Sequence, residues 1–398
     1  MDKKNKTNWQ IKKLGEVCDF EGGSQPPKVN FIHEPRKGYV RFLQIRDFGS
    51  DKHITYIPDS KKNRHCTEDD ILLGRYGASV GKILINKKGA YNVAVMKTLP
   101  KYDLLDKKYF YFYLISDEFQ KRLSKVAARS AQAGFSKDDI YDFPVVTPPL
   151  PEQRRIVKIL DEVFEKTAKA KENAQKNLQN AKELFESYLQ SVFAPPSLKL
   201  RADKEPSGTN WKEKKLGEIA SFSQGIQVGL EKHLTEPKKD YVRFIRIVDY
   251  TQDTEDIRYI PNPGDKYFVN ENDIVMVRYG TPGLIGRGKA GVIANNLFKI
   301  TIDKNYLLND YLCFYLSQKN IQIYLSTRGS ATMPALNFGQ LKTVVINFPS
   351  LSEQKAIVAK LDALSTETKK LEAIYKQKLA DLDELKKSVL KRAFIGDL

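Results

Sequence analysis

The sequence predicts an α+β protein with a pseudo-two-fold internal duplication: two globular blocks of short strands and helices, separated by two long helices that form an antiparallel coiled coil. Three observations carry this expectation. One pattern occurs twice, at an offset of 201 to 203 residues. Within each copy the composition changes abruptly from turn-rich to Gly-free. The Gly-free stretch then carries an apolar stripe with the period of a coiled-coil seam. The expected boundaries are globular blocks at 1–150 and 210–350, helices at 151–193 and 351–398, and a polar linker at 194–209.

The duplication is ordered. Trp9 ahead of Lys13-Leu14-Gly15-Glu16-Val17 returns as Trp211 ahead of Lys215-Leu216-Gly217-Glu218-Ile219. Tyr39-Val40-Arg41-Phe42 returns as Tyr241-Val242-Arg243-Phe244, and Arg75-Tyr76-Gly77 as Arg278-Tyr279-Gly280. Glu152-Gln153 returns as Glu353-Gln354. Solenoid repeats run roughly 20–50 residues, so this longer period is a duplicated module.

Each block reads as mixed short elements. Val40 to Ile45 and Ile71 to Leu73 are β-rich runs bounded by Gly, Asp and Pro, while Gly22-Gly23, Pro26-Pro27, Gly77, Gly81 and Gly89 mark turns. A helix is expected over 106–125, with Tyr109 to Leu114 as an aromatic face and Tyr311 to Leu316 in the same place of the second copy. At helical spacing those rings read as core in preference to a base-stacking surface.

From Pro151 to Phe193 there is no Gly and no further Pro, and Pro151 suits a first helical turn. Alternating steps of four and three trace Ile156, Leu160, Val163, Thr167, Ala170, Ala174, Asn177, Ala181, Leu184 and Tyr188. The same steps trace Ile357, Leu361, Leu364, Thr368, Leu371, Tyr375, Lys378, Leu382, Leu385 and Val389. The first seam is small in its middle and the second large, so antiparallel pairing brings small against large. The alternative is that each helix pairs with another chain or lies on its own block. Ala194-Pro195-Pro196 ends the first helix.

Hydrophobic residues, at 41%, suffice for ordinary cores. No apolar run approaches the ~18 residues of a membrane span, and the charged Met1 to Lys6 leads into no apolar signal region. Cys18, Cys66 and Cys313 lie far apart without metal-like spacing, which fits a reducing cytoplasm. The net charge of +17 favours an anionic partner. It is concentrated on the blocks: residues 1–150 hold 27 Lys and Arg against 18 Asp and Glu, and 201–350 hold 20 against 16, whereas 151–200 and 351–398 hold 9 against 7 and 10 against 8.

A globular block, a helix start at Pro148-Pro149-Leu150-Pro151-Glu152-Gln153, a long helix, and then the whole again resembles the specificity subunits of type I restriction-modification systems. The second start, Phe348-Pro349-Ser350-Leu351-Ser352-Glu353-Gln354, departs in Ser350 and Ser352, which is harmless because Ser caps helices. Each motif alone is weak; the ordered set, present twice, is specific. The resemblance implies two target-recognition domains that each read one half of a split, asymmetric site in double-stranded DNA, with the helices setting the gap. It implies docking of two modification subunits, which methylate adenine with S-adenosylmethionine, and of restriction subunits, which use ATP and Mg. The chain itself is expected to bind no cofactor and no membrane.

Catalysis is not readable in the residues. Thr147-Pro148-Pro149-Leu150 lacks both the amide or acid and the aromatic ring of an adenine methyltransferase loop. Gly283 to Gly288 has neither dinucleotide nor P-loop spacing, and the four histidines form no ligand pattern. Residues identical in both copies cannot encode two different half-sites, so they are expected to build the frame or hold phosphates. Arg75, Tyr76, Arg278 and Tyr279 fall in that class. Base readers are sought among divergent polar residues beside the frame: Ser24, Gln25 and Lys28 against Gln224 and Gln227; Gln44 and Arg46 against Arg246; Ser79 and Lys82 against Thr281 and Arg287; Arg129, Ser130, Gln132 and Lys137 against Arg328, Ser330 and Asn337. Gln and Asn can grip adenine and Arg guanine, at about 1–3 kcal/mol of discrimination each. Two other readings stay open: a coiled-coil protein scaffold without sequence-specific DNA binding, and a self-contained methyltransferase.

Overall fold

The computed structural model describes residues 8–128, 134–194, 211–252, 256–326 and 335–398; apart from Ala194, the expected linker at 194–209 lies outside them. The chain forms two compact units, one of residues 1–175 with 377–398 and one of 176–376. Each holds one globular block and parts of both long helices, here α1 (Leu150–Phe193) and α2 (Leu351–Ile395).

In the first unit, Cys18–Gly22, Val95–Pro100, Leu72–Gly74 and Ile83–Leu84 form one four-stranded sheet in that spatial order. A second sheet runs Tyr56–Pro58, Tyr39–Leu43, Gly89–Tyr91, His65–Cys66, and a ribbon pairs Gln10–Lys13 with Pro144–Thr147. The second unit repeats all three: Ala220–Gln224, Leu297–Ile302, Ile274–Val277, Ile285–Gly286; then Arg258–Pro261, Tyr241–Ile245, Gly291–Ile293, Phe268–Val269; and Lys212–Lys215 with Val345–Phe348. Register is kept as well. Phe42 lies opposite Ala90 in a parallel pair, as Phe244 does opposite Val292. Strands this short bury little individually, so each sheet depends on the helices laid against it.

The aromatic helices, Lys107–Ile115 and Asn309–Leu316, form the centre of each core. Buried rings still need partners for their hydroxyls. Tyr109 and Tyr113 donate to the ribbon carbonyls of Val146 and Pro144, at 2.8 and 3.0 Å. Tyr311 and Tyr315 donate to those of Asn347 and Val345, at 2.8 and 3.1 Å. The far side of these rings is closed by the end of a long helix. Phe394 of α2 packs on Tyr109 and Tyr113 in the first unit, and Phe193 of α1 on Tyr311 and Tyr315 in the second.

Each helix start is anchored by a buried glutamine. Gln153, fully buried, accepts from the Asp106 N–H and donates to the carbonyls of Leu104 and Pro148, all at 2.8 Å. Gln354 repeats this with the Leu308 N–H and the carbonyls of Tyr306 and Pro349, at 3.0, 2.8 and 3.0 Å. Ser350 and Glu353 close a capping box at the start of α2, so serine serves the helix start in the second copy.

Within the first unit the long helices run antiparallel. Arg155 bonds the Leu398 carbonyl at 2.8 Å, Lys386 lies 5.0 Å from the Phe164 ring, and Lys171 pairs with Asp383 at 2.9 Å, so positions rise on α1 as they fall on α2. The buried stripe departs from the expected seam at five places: Leu184 is 64% exposed, Leu371 42% and Leu385 46%, and Asn177 and Lys378 are exposed as well. Ile156, Leu160 and Ala174 are buried, Val163 and Ala170 half-buried, and the stripe then continues through Leu178, Ala181 and Phe185. On α2, Leu361 is buried and Ile357, Leu364, Tyr375 and Leu382 half-buried, with Glu372, Leu379 and Lys386 on the stripe. Two successive four-residue steps (170–174–178 and 364–368–372) replace the strict alternation. A straight helix turns at 3.6 rather than 3.5 residues, and such a stutter absorbs the drift.

Replacing Gln153 by alanine leaves one buried N–H and two buried carbonyls without partners, at about 1–3 kcal/mol per orphaned group. With three groups orphaned, about 3–9 kcal/mol in all, Gln153→Ala should lower the melting temperature of the first unit by on the order of 10–30 °C. Scanning calorimetry against wild type checks this; an unshifted transition removes the anchoring role.

Candidate nucleic-acid interface

Each Arg-Tyr-Gly turn follows a buried strand, and Gly77 and Gly280 take φ of +59° and +84°, a conformation that glycine adopts without strain. The turn throws Arg75 and Tyr76 to the surface, with the guanidinium 4.9 Å from the ring centre and Tyr76 38% exposed. Arg278 stacks on Tyr279 at 4.8 Å in the second unit. Two neighbouring segments hold each turn. The Arg75 N–H donates to the Ala94 carbonyl at 2.9 Å and its Nε to the Phe135 carbonyl at 2.6 Å. Correspondingly, the Arg278 N–H donates to Asn296 O at 2.8 Å, and the Leu336 N–H to Arg278 O at 3.0 Å. Such a stacked cation and ring can face a phosphate and a base together.

An ion-pair frame is shared by the two units as well. Asp47, nearly buried, pairs with Arg41 at 2.9 Å and accepts from the Gln44 N–H at 2.8 Å. Asp249 is buried likewise, 3.6 Å from Arg243 and 2.8 Å from the Arg246 N–H. Sequence reading missed both acids as frame residues, although the Asp three places after Gln44 and Arg246 was a signal for a capped turn. Asp51 adds a second pair to Arg41 at 2.5 Å and one to Lys87 at 2.8 Å. Those two cations hold the Asp51 carboxyl at about 2.

Several expected readers are occupied within the protein. Gln44 and Arg46 both donate to the Thr55 hydroxyl, at 3.2 and 2.5 Å. Arg246 is tied to Asp249 and Asp256, and Arg287 is ion-paired with Asp310. Ser79 is buried and donates to the Tyr76 carbonyl at 2.7 Å, while Asn337 caps the helix Phe338–Lys342. Lys137 sits 3.7 Å from Asp19 and over the Tyr141 ring. These residues support loops, because a short polar side chain beside a turn satisfies backbone or neighbouring groups before it reaches outward. Gln25, Lys28, Lys82, Gln227 and Thr281 are exposed, and Ser24 and Gln224 half-exposed. Arg129, Ser130, Gln132, Arg328 and Ser330 lie outside the described residues.

Burial pushes the Cys66 thiol up to about 11 and the Cys313 thiol up to about 12, so neither supplies a thiolate nucleophile near neutral pH. Among the described residues no group of three His, Cys, Asp or Glu is placed to hold a metal ion, and no helix is long and apolar enough to cross a membrane.

Because the folded value of Asp51 lies below the ordinary carboxylate value of about 3.9, its contribution to stability is complete above that value and is lost as pH falls through about 2. A carboxyl-carbon NMR titration should place the Asp51 midpoint near 2. A midpoint in the ordinary range would show that the Arg41–Asp51–Lys87 cluster does not persist in solution.

The family described as "Type I restriction modification DNA specificity domain" matches residues 6–180 and again 208–380. The chain is 22% identical to the type I restriction enzyme MjaVIII specificity subunit of Methanocaldococcus jannaschii, over 98% of this chain and 93% of that one. It is 23% identical to the type I restriction enzyme EcoBI specificity subunit of Escherichia coli, over 98% and 86%. Among solved structures, one concerned with complex assembly and conformational transition of the type I R-M system contains a chain of the same fold, with a TM-score of 0.80, 20% identity and 100% of both chains covered. The HsdS subunit from Thermoanaerobacter tengcongensis superposes with a TM-score of 0.59 at 20% identity, over 98% of each chain.

Proposed function

The chain belongs to the family of type I restriction-modification DNA specificity domains, and on that premise we propose that it is the non-catalytic subunit that selects a split, asymmetric target in double-stranded DNA. One observation carries the reading: a single frame is built twice, with the same strands, the same Arg-Tyr platform and the same helix anchor, while the exposed loop residues beside it differ. A shared frame can hold the DNA backbone in both halves, and divergent edges can read two different half-sites. Residues 1–150 and 210–350 are the two target-recognition domains, and 151–193 and 351–398 the long helices. Arg75 with Tyr76 and Arg278 with Tyr279 grip phosphates. Lys28 and Lys82 in one domain, and Thr281 in the other, are the divergent exposed residues nearest to base edges, while Gln25 and Gln227, which correspond to each other, differ only through their neighbours.

The partners are two modification subunits, which carry S-adenosylmethionine and methylate adenine, and restriction subunits that use ATP and Mg. The complex works in the cytoplasm. The greater positive charge on the two blocks than on the helices favours DNA as the ligand of the blocks.

Sequencing the methylome of a host that expresses the cognate modification subunit, with and without this chain, tests the reading. A split motif of two short halves around a fixed gap, methylated on adenine only when the chain is present, is expected. A modification subunit that is active with another specificity chain yet yields no new motif with this one overturns it in favour of a protein scaffold. Arg75→Ala should weaken binding to all DNA sequences alike and reduce the salt dependence by about one phosphate contact. Titration of target and random duplexes at several salt concentrations checks this, and a changed sequence preference contradicts the phosphate role.

A further inference from the structure

In both units three segments meet on one two-residue turn. Val93-Ala94 and Asn295-Asn296 are its corners, closed by Val95 N–H to Asn92 O and Leu297 N–H to Ala294 O, both at 2.9 Å. The loop after the first strand packs onto each turn. Gly23 and Ser24 donate to the carbonyls of Val95 and Tyr91 at 3.1 and 3.0 Å, and Gly225 and Ile226 to those of Leu297 and Ile293, both at 3.0 Å. A Cβ on Gly23 would lie 2.1 Å from the Asn92 carbonyl, and one on Gly225 2.2 Å from that of Ile293, so this approach requires glycine. The Arg-Tyr turn closes the third side through the bonds to Ala94 and Asn296 described above. The backbone at this place is therefore the same twice.

The side chains are not. Asn295 donates through Nδ2 to Gln227 Oε1 at 3.1 Å, and its backbone carbonyl accepts from Gln224 Nε2 at 2.8 Å. Among the described residues, the Gln227 NH2 and the Asn295 side-chain oxygen have no further partner. The pair thus presents one donor and one acceptor beside the Arg278–Tyr279 platform. In the first unit Gln25 corresponds to Gln227, but Val93 stands where Asn295 stands and is 37% exposed. Valine cannot buttress the Gln25 amide and offers an apolar contact instead.

We propose that the position held by Val93 and Asn295 sets the base preference of each half-site. Asn295 is a positioning residue that holds Gln227 so that the pair meets the donor and acceptor of an adenine edge in the major groove, whereas Val93 meets a thymine methyl group. This rests on the DNA-reading function proposed above. A glutamine alone samples many rotamers; one whose carbonyl is already occupied pays less entropy on meeting a base. Shape complementarity is therefore supplied by a residue that differs between the copies on a backbone that does not.

The test is a methylome comparison in hosts carrying the modification subunit with wild-type chain, Asn295→Val, Gln227→Ala or Val93→Asn. Asn295→Val and Gln227→Ala should relax the same position of one half-site, lowering its base preference by roughly 5- to 150-fold, with the other half unchanged. Val93→Asn should alter the other half alone. Asn295→Leu, which keeps about the size but can neither donate to nor accept from Gln227, should reproduce the Asn295→Val motif and guards against a variant that fails to fold. A motif kept intact in every variant while methylation falls evenly, or relaxation of different positions by Asn295→Val and Gln227→Ala, overturns the proposal and leaves the DNA-reading function standing. No split motif from the wild-type chain overturns both.

Discussion

A buried glutamine amide at the first turn of each long helix is the contact on which each unit depends. Gln153 and Gln354 bind one N–H and two carbonyls apiece, taken from the loop before the aromatic helix and from the helix lead-in. A fully buried amide that lost these partners would carry a desolvation cost with nothing to offset it. The direction in which α1 or α2 leaves its block is set by this three-point attachment, and the tyrosine hydroxyls on the ribbon carbonyls hold the block to the same frame. The closing residue of each core, Phe394 or Phe193, comes from the end of the other long helix, so neither block completes its core from contiguous sequence.

That dependence accounts for how the copies differ. Substitutions at the core, the glutamine anchor or the Arg41–Asp47 and Arg243–Asp249 pairs would disturb packing at native density, where little slack exists. Turn tips carry no such load. Val93 is exposed and Asn295 half-buried at the tip of a turn whose closing bonds, Val95 N–H to Asn92 O and Leu297 N–H to Ala294 O, are the same in both copies, so the chemistry there differs while the turn does not. A DNA reader needs this division, with a frame that repeats and edges that do not.

Much of the fold was legible beforehand. The duplication, the mixed short elements, the aromatic core helices and the two long helices all follow from patterns local to the chain. The seam was read less well. Leu184, Leu371 and Leu385 fit a 3.5-residue alternation and lie off the buried stripe, because a run of more than forty residues accumulates the difference between 3.5 and 3.6 and releases it at a stutter. Among the candidate readers, Ser79, Asn337, Arg246 and Arg287 had suitable chemistry but are spent on caps and ion pairs. The partners of the two arginines, Asp249, Asp256 and Asp310, are brought to them by the turn, the loop and the helix on which they lie.

What the sequence determined by itself was the count, order and kind of the elements, since periodicity and Pro and Gly placement act over a few residues at a time and the repeat shows each of them twice. The tertiary structure alone decided which polar side chains remain free to meet a ligand and which helix end closes which core. Those outcomes depend on contacts between residues tens to hundreds of positions apart, such as Arg75 with Phe135, Asn295 with Gln227 and Tyr109 with Phe394. No local pattern encodes such pairs, because each forms only when separate elements are folded against one another and compete for the same partners.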